Sequence, residues 1–187
     1  MAVDTSQFRN GLKVELNGEP FVIVYFQHVK PGKGGAFVRT KLKNLKTGRV
    51  LDRTFRSGEK LDEADVEDRR MQYLYRDGEQ LVFMDTESYD QIPFSAEQVG
   101  DARKYLRENV DIGVLFWRGV PIHIELPAFI EAAVTECEPG VKGDTASGAT
   151  KPATIETGAV VQVPLFIKQG EHIRVDTRSG EYVERVS

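Results

Sequence analysis

The sequence predicts an all-β protein built as three small modules in tandem, and three observations carry that prediction. Apolar and polar residues alternate with period two through most of the chain, the signature of half-buried strands. Turn pairs punctuate these runs at Asn17-Gly18, Thr47-Gly48, Ser57-Gly58, Asp77-Gly78, Arg118-Gly119 and Ser179-Gly180. Helical spacing is confined to one stretch, near residues 95–106.

Of the 187 residues, 40% are hydrophobic and 9% aromatic, which supports packed cores and excludes a disordered chain. No apolar run approaches the roughly 18 residues of a membrane span. The opening Met1-Ala2-Val3-Asp4 lacks a basic region followed by an apolar one. A cytoplasmic protein with no membrane partner is expected. The single cysteine, Cys137, allows no internal disulfide, and its neighbours Glu136 and Glu138 disfavour a thiolate, so it reads as structural. Three scattered histidines have no zinc-site spacing, so no metal is expected.

The first module, residues 1–64, opens with Leu12, Val14 and Leu16 alternating with Lys13, Glu15 and Asn17, a strand ending in the Asn17-Gly18 turn. The apolar run 21–26 is a second strand. It leads into Lys30-Pro31-Gly32-Lys33-Gly34-Gly35, after which Phe37 and Val38 begin the return. The pair reads as a hairpin with a lysine at its tip. Pro31 stiffens the approach, while Gly32, Gly34 and Gly35 permit positive φ and close approach to a partner. A glycine-flanked lysine suits phosphate contact, nucleophilic chemistry or covalent modification, and a plain surface turn fits the same residues. On the returning strand Arg39, Lys41 and Lys43 share a face, about 6.5 Å apart at the usual strand rise. That row suits a phosphate track as well as a solvated face. Ser57-Gly58 is expected to close the sheet, with the polar stretch 59–65 as a boundary.

The second module, residues 65–128, contains Met71 to Tyr75 and Leu81 to Met84 around Asp77-Gly78, a strong hairpin signal. Ser95 can cap a short helix with Gln98 three positions on, and Val99, Ala102 and Leu106 would face one side. A final hairpin turns at Arg118-Gly119, with Trp117 expected to cap a core. Pro127 marks the second boundary.

The third module, residues 129–187, begins with the apolar run 129–134. A Pro/Gly-containing break follows, then a small, polar, flexible stretch over 144–154. The run 159–166 is strand-like, with Pro164 confined to an edge or bulge. Ile173, Val175, Ser179-Gly180 and Val183 supply a closing hairpin.

Charge is distributed unevenly under the net value of -4. Residues 1–64 hold 12 Lys and Arg against 7 Asp and Glu, residues 65–128 hold 7 against 13, and residues 129–187 hold 6 against 9. A basic first third on an acidic protein points to a polyanion met by one end, rather than DNA wrapped around the whole surface.

Taken together, these residues resemble bacterial elongation factor P over the whole chain. The resemblance rests on Lys30-Pro31-Gly32-Lys33-Gly34 and on Tyr73-Leu74-Tyr75 followed by Asp77-Gly78. Its most specific part is Gly143-Asp144-Thr145, Lys151-Pro152-Ala153-Thr154, Thr157-Gly158, Val163-Pro164-Leu165-Phe166 and the run from Val175 to Tyr182. It implies an N-terminal SH3-like (KOW-type) barrel followed by two oligonucleotide-binding (OB-fold) β-barrels, arranged in an L of transfer-RNA size. It also implies a monomeric translation elongation factor, not an enzyme, that binds both ribosomal subunits beside peptidyl-tRNA, between the peptidyl and exit sites. There it promotes peptide-bond formation on stalled ribosomes, above all at consecutive prolines.

Under this resemblance Lys30, Pro31, Gly32, Lys33, Gly34 and Gly35 contact peptidyl-tRNA, and Lys33 is the site of a covalent extension added by a modifying enzyme. No other cofactor is implied. Arg39, Lys41 and Lys43 would contact RNA backbone. Gly143, Asp144, Thr145, Ser147 and Gly148 would form a loop approaching the small subunit near the exit site. Gly148-Ala149 stands where the resemblance leads one to expect two glycines, and a position requiring positive φ would resist the Ala149 methyl group.

Two rivals remain on the residues alone. A generic single-stranded nucleic-acid-binding OB-fold protein would need aromatic stacking platforms and a longer positive groove. An enzyme using Lys33 as nucleophile would need an orienting partner, for which only His28 is near in sequence.

Overall fold

A computed structural model of the chain describes residues 1–140 and 148–187. Its regular structure is almost entirely β. The first sheet contains β1 (Ala2–Asp4), β2 (Lys13–Leu16), β3 (Glu19–Val29), β4 (Phe37–Asn44), β5 (Val50–Arg56) and β6 (Lys60–Glu63), in the order β1-β6-β2-β3-β4-β5. Asn17 and Gly18 both adopt positive φ, 53° and 75°, the geometry of a tight hairpin turn, and they set the Leu16–Glu19 register. Val14, Ile23, Val38, Leu42 and Phe55 fill the core of this sheet with essentially no exposure. Phe8 meets the Phe55 ring edge-on at 5.4 Å.

The first sheet closes later than the turn residues suggest. Ser57-Gly58 does not close the sheet, because β6 continues from it and pairs with both β1 and β2. The Thr5 hydroxyl accepts the Gly58 N–H, tying the turn to the start of the chain. Lys60, Asp62 and Glu63 make this strand look like linker, since its stability comes from two partners more than forty residues away in sequence.

The second sheet contains β7 (Val66–Asp77), β8 (Gln80–Asp85), β9 (Gln91–Ser95), β10 (Asp111–Trp117) and β11 (Val120–Glu125), in the order β11-β10-β7-β8-β9. The expected hairpin at Gly78 is present, with Asp77 opposite Gln80. Phe83 stacks on Phe94 at 4.7 Å and lies 5.3 Å from Tyr73. After β9, Ser95 accepts the Gln98 N–H while Gln98 reaches back to the Ser95 N–H, the reciprocal cap read from the sequence. The helix is shorter than its apolar spacing suggests. It stops after α1 (Ala96–Val99) because Gly100 takes φ 62°, and the chain continues as a 3-10 helix over Gly100–Tyr105. Val99 and Leu106 are still buried.

The third sheet contains β12 (Phe129–Cys137), β13 (Thr150–Ile155), β14 (Val160–Pro164), β15 (His172–Asp176) and β16 (Glu181–Val186), in the order β14-β13-β12-β15-β16. Pro164 ends the edge strand β14, where its missing N–H costs no ladder bond. The stretch expected to be flexible through residue 154 becomes β13 from Thr150 onward. Lys151 there is 7% exposed, and its ammonium donates to the Glu138 carbonyl at 2.6 Å. A charge buried this deeply is held by that hydrogen bond.

By internal packing the chain divides into two compact units. One is Met1–Arg69 with Val114–His123, and the other is Arg70–Gly113 with Ile124–Ser187. Among the described residues, no helix is long and apolar enough to cross a membrane.

Candidate functional site

The β3–β4 ribbon is the longest antiparallel pair in the first sheet, and it ends in the loop 30–36. Val29 pairs with Phe37 at its last rung, and Lys30, Pro31, Gly32, Lys33, Gly34 and Gly35 beyond it are all exposed. Lys33 makes no hydrogen bond or ion pair with any described residue. Of the three glycines, only Gly34 uses positive φ, at 102°. Gly32 and Gly35 stay in ordinary backbone regions. A Cβ added at any of the three would meet nothing within 4 Å, so the loop stands clear of its neighbours. Its slenderness, rather than a crowded interior, is what the glycines provide.

Behind the tip, Arg39, Lys41 and Lys43 occupy alternate exposed positions of β4, while Val38, Thr40 and Leu42 point inward. None of the three cations is in an ion pair among the described residues. Arg39 lies 5.5 Å from the Phe37 ring centroid. A β-bulge at Val24 shifts the register of β3, placing Tyr25 opposite Lys41 and Gln27 opposite Arg39. Together with Asp52 and Arg53 on β5, these four residues border a groove of about 250 Å³. Tyr25 is 45% exposed and its hydroxyl donates to Gln27 at 3.3 Å. Sequence reasoning missed Tyr25 and Gln27, because a one-residue bulge leaves no mark in an apolar run and reverses which side chains face out.

His28, the residue nearest to a candidate orienting base, is exposed on β3 with its ring edge-on to Phe26 at 5.8 Å. Among the described residues, no acid, base or orienting group is assembled with Lys33. The site can present an amine at the end of a narrow ribbon and offer an unneutralised positive row beneath it. Among the described residues no group of three or more His, Cys, Asp or Glu could hold a metal ion.

Gly143, Asp144, Thr145 and Ser147 lie outside the described residues. Gly148 is exposed with φ 87°, whereas Ala149 does not take positive φ, so its methyl group meets no conformational obstacle.

Three family models match the chain in sequence order. The elongation factor P KOW-like domain covers residues 4–61, the elongation factor P OB domain residues 66–124, and the elongation factor P C-terminal domain residues 130–185. The chain is 56% identical over 184 residues to elongation factor P of Pelotomaculum thermopropionicum, covering 98% of this chain and 100% of the relative. It is 57% identical over 183 residues to that of Moorella thermoacetica, covering 98% and 99%. Among solved structures, eukaryotic translation initiation factor 5A from Methanococcus jannaschii superposes with a TM-score of 0.53 at 21% identity. That match covers 66% of this chain and 91% of the other, a likeness of fold.

Proposed function

This chain belongs to the elongation factor P family and is a translation elongation factor, and we propose that it acts on stalled ribosomes by positioning the acceptor end of peptidyl-tRNA. It binds between the peptidyl and exit sites, touches both subunits, and promotes peptide-bond formation above all where consecutive prolines slow the reaction. It works as a monomer in the cytoplasm.

The observation that carries this reading is the isolation of Lys33. Its ammonium stands at the end of an exposed loop with no hydrogen-bond or ion-pair partner among the described residues, above three cations that form no ion pair among them. An interior lysine would find an acceptor. In this reading Lys33, extended covalently by a modifying enzyme, reaches the acceptor-end backbone, and Arg39, Lys41 and Lys43 neutralise nearby RNA phosphate. Proline is a stiff secondary amine and attacks slowly from a poorly placed acceptor end. Holding the reacting groups in near-attack geometry recovers roughly several kcal/mol of entropy in favourable cases. The ribosome supplies the reaction centre, so no residue of this chain acts as general acid, general base or nucleophile.

The test is synthesis through a triple-proline message in a purified translation system, beside a control message without prolines. Wild-type protein carrying its native modification should accelerate the first and leave the second unchanged, and Lys33→Ala should lose the acceleration. Equal rates with and without added protein would overturn the reading. Intact-mass measurement of protein from its native host tests the extension separately.

A further inference from the structure

The second compact unit contains a cleft of about 580 Å³ that includes none of the tip or β4 residues. Its apolar floor comes from Tyr73 on β7, Leu81 on β8 and Leu106, all buried. Its rim carries four cations: Arg76, Arg103, Lys104 and Arg107. Two carboxylates, Glu108 and Glu156, complete the charged lining. The excess is positive, within a stretch of sequence that is strongly acidic overall.

The rim groups differ in how far they are already satisfied. Arg107 donates to the Glu131 carbonyl and lies 3.5 Å from Glu156, which also accepts the Ala133 N–H. Lys104 sits 3.5 Å from Asp101, and its backbone carbonyl accepts the Thr157 hydroxyl, which fastens the β13–β14 turn to this wall. Arg76 uses only its Nε, donating to the Gly78 carbonyl at 2.8 Å. Arg103 has no hydrogen-bond or ion-pair partner among the described residues, and the same holds for the Tyr73 hydroxyl and the Glu108 carboxylate.

We propose that this cleft binds a phosphate monoester of nucleotide size. Arg103 and the terminal nitrogens of Arg76 are the unspent donors, and guanidinium forks match phosphate oxygens in charge and geometry. The volume lies within the roughly 300–1,000 Å³ of small-molecule sites, far more than a bare phosphate fills. A nucleobase suits the apolar floor beside Tyr73, and Glu108 is available to accept from ribose hydroxyls. The Thr157 hydrogen bond makes the wall a fixed one, so the ligand meets a preformed site.

Titration calorimetry on the full-length chain at low salt tests this with AMP, adenosine and a 5′-phosphorylated trinucleotide as probes. AMP should bind one to one and saturably, with no detectable binding by adenosine. Arg103→Ala and Arg76→Ala should each weaken AMP by roughly tenfold, the usual loss of a charge-assisted hydrogen bond. Arg56→Ala, outside the cleft, should leave it unchanged. The trinucleotide should bind no more tightly than AMP, because the cleft encloses one nucleotide. Absence of saturable AMP binding, equal binding of adenosine, equal weakening by Arg56→Ala, or a requirement for the trinucleotide would each overturn the proposal. The free protein is the reagent throughout, so the outcome is independent of activity on the ribosome.

Discussion

The Lys46 ammonium stands 4.6 Å from the centre of the Trp117 ring, and the Arg118 guanidinium stands 4.8 Å from it. The sequence predicts that Trp117 caps a core. It is half-buried at the β10–β11 turn, gripped by two cations, with its indole N–H buried and lacking an acceptor among the described residues. Arg118 also pairs with Glu15 of β2 at 2.7 Å and donates its backbone N–H to the Asp65 carbonyl. These interactions fasten the hairpin to the first sheet within one compact unit.

Lys46→Ala should therefore destabilise the protein by about 0.5–1 kcal/mol, the usual size of a partly exposed cation–π interaction. Trp117 is the single tryptophan, so its fluorescence reports the same change directly. A double-mutant cycle of Lys46→Ala with Trp117→Leu in urea should return a coupling of that size. Zero coupling would mean the ring is held by packing alone.

Reversing charge at Arg39 and Lys41 should weaken ribosome binding and flatten its salt dependence together. Removing one phosphate interaction lowers the log–log salt slope by about 0.7–0.9, so the double variant should flatten it by about 1.5. Filter binding across a salt series measures it. An unchanged slope would reduce the β4 row to a solvated face.

Lys151→Met keeps the buried stem but leaves the Glu138 carbonyl without its donor. Glu138 is exposed, so water can take up its carbonyl, and the cost is that of one net hydrogen bond, about 1 kcal/mol. Urea unfolding of the variant gives the value, and a change within error of zero would show that water replaces the bond at no net cost.

The Asp176 carboxyl accepts from the Arg178 side chain and backbone N–H, and these hydrogen bonds hold its pKa at about 2 against an ordinary 3.8. A depressed carboxylate stabilises the fold above its ordinary pKa and loses that contribution as pH falls through the folded value. Asp176→Asn should therefore melt below wild type at neutral pH, and the two melting temperatures should converge between pH 3.8 and about 2. Circular dichroism melts across that range decide it, and a constant gap would discount the ionic contribution.

Much of the tip is legible in the sequence. The alternation from Phe37 to Lys43 puts Arg39, Lys41 and Lys43 on one face, and the Pro/Gly composition puts Lys33 at a turn. The unused φ freedom of Gly32 and Gly35 is not legible, since glycine permits a conformation without requiring it. Ser95 and Gln98 announce the start of the helix, but its end at Gly100 cannot be distinguished from a tolerated interior glycine.

By itself, then, the sequence determined the strands, their turns and the exposed lysine, because period-two patterning and turn chemistry act between residues a few positions apart. Tertiary structure alone decided which partners β6 would find, where the Val24 bulge would turn Tyr25 outward, that Lys151 would be buried, and that Arg76 and Arg103 would border one cleft. Each of those outcomes depends on register and burial between distant segments. A hydrogen-bond ladder or a buried charge is stabilised only once both partners are in place, and no local pattern encodes that meeting.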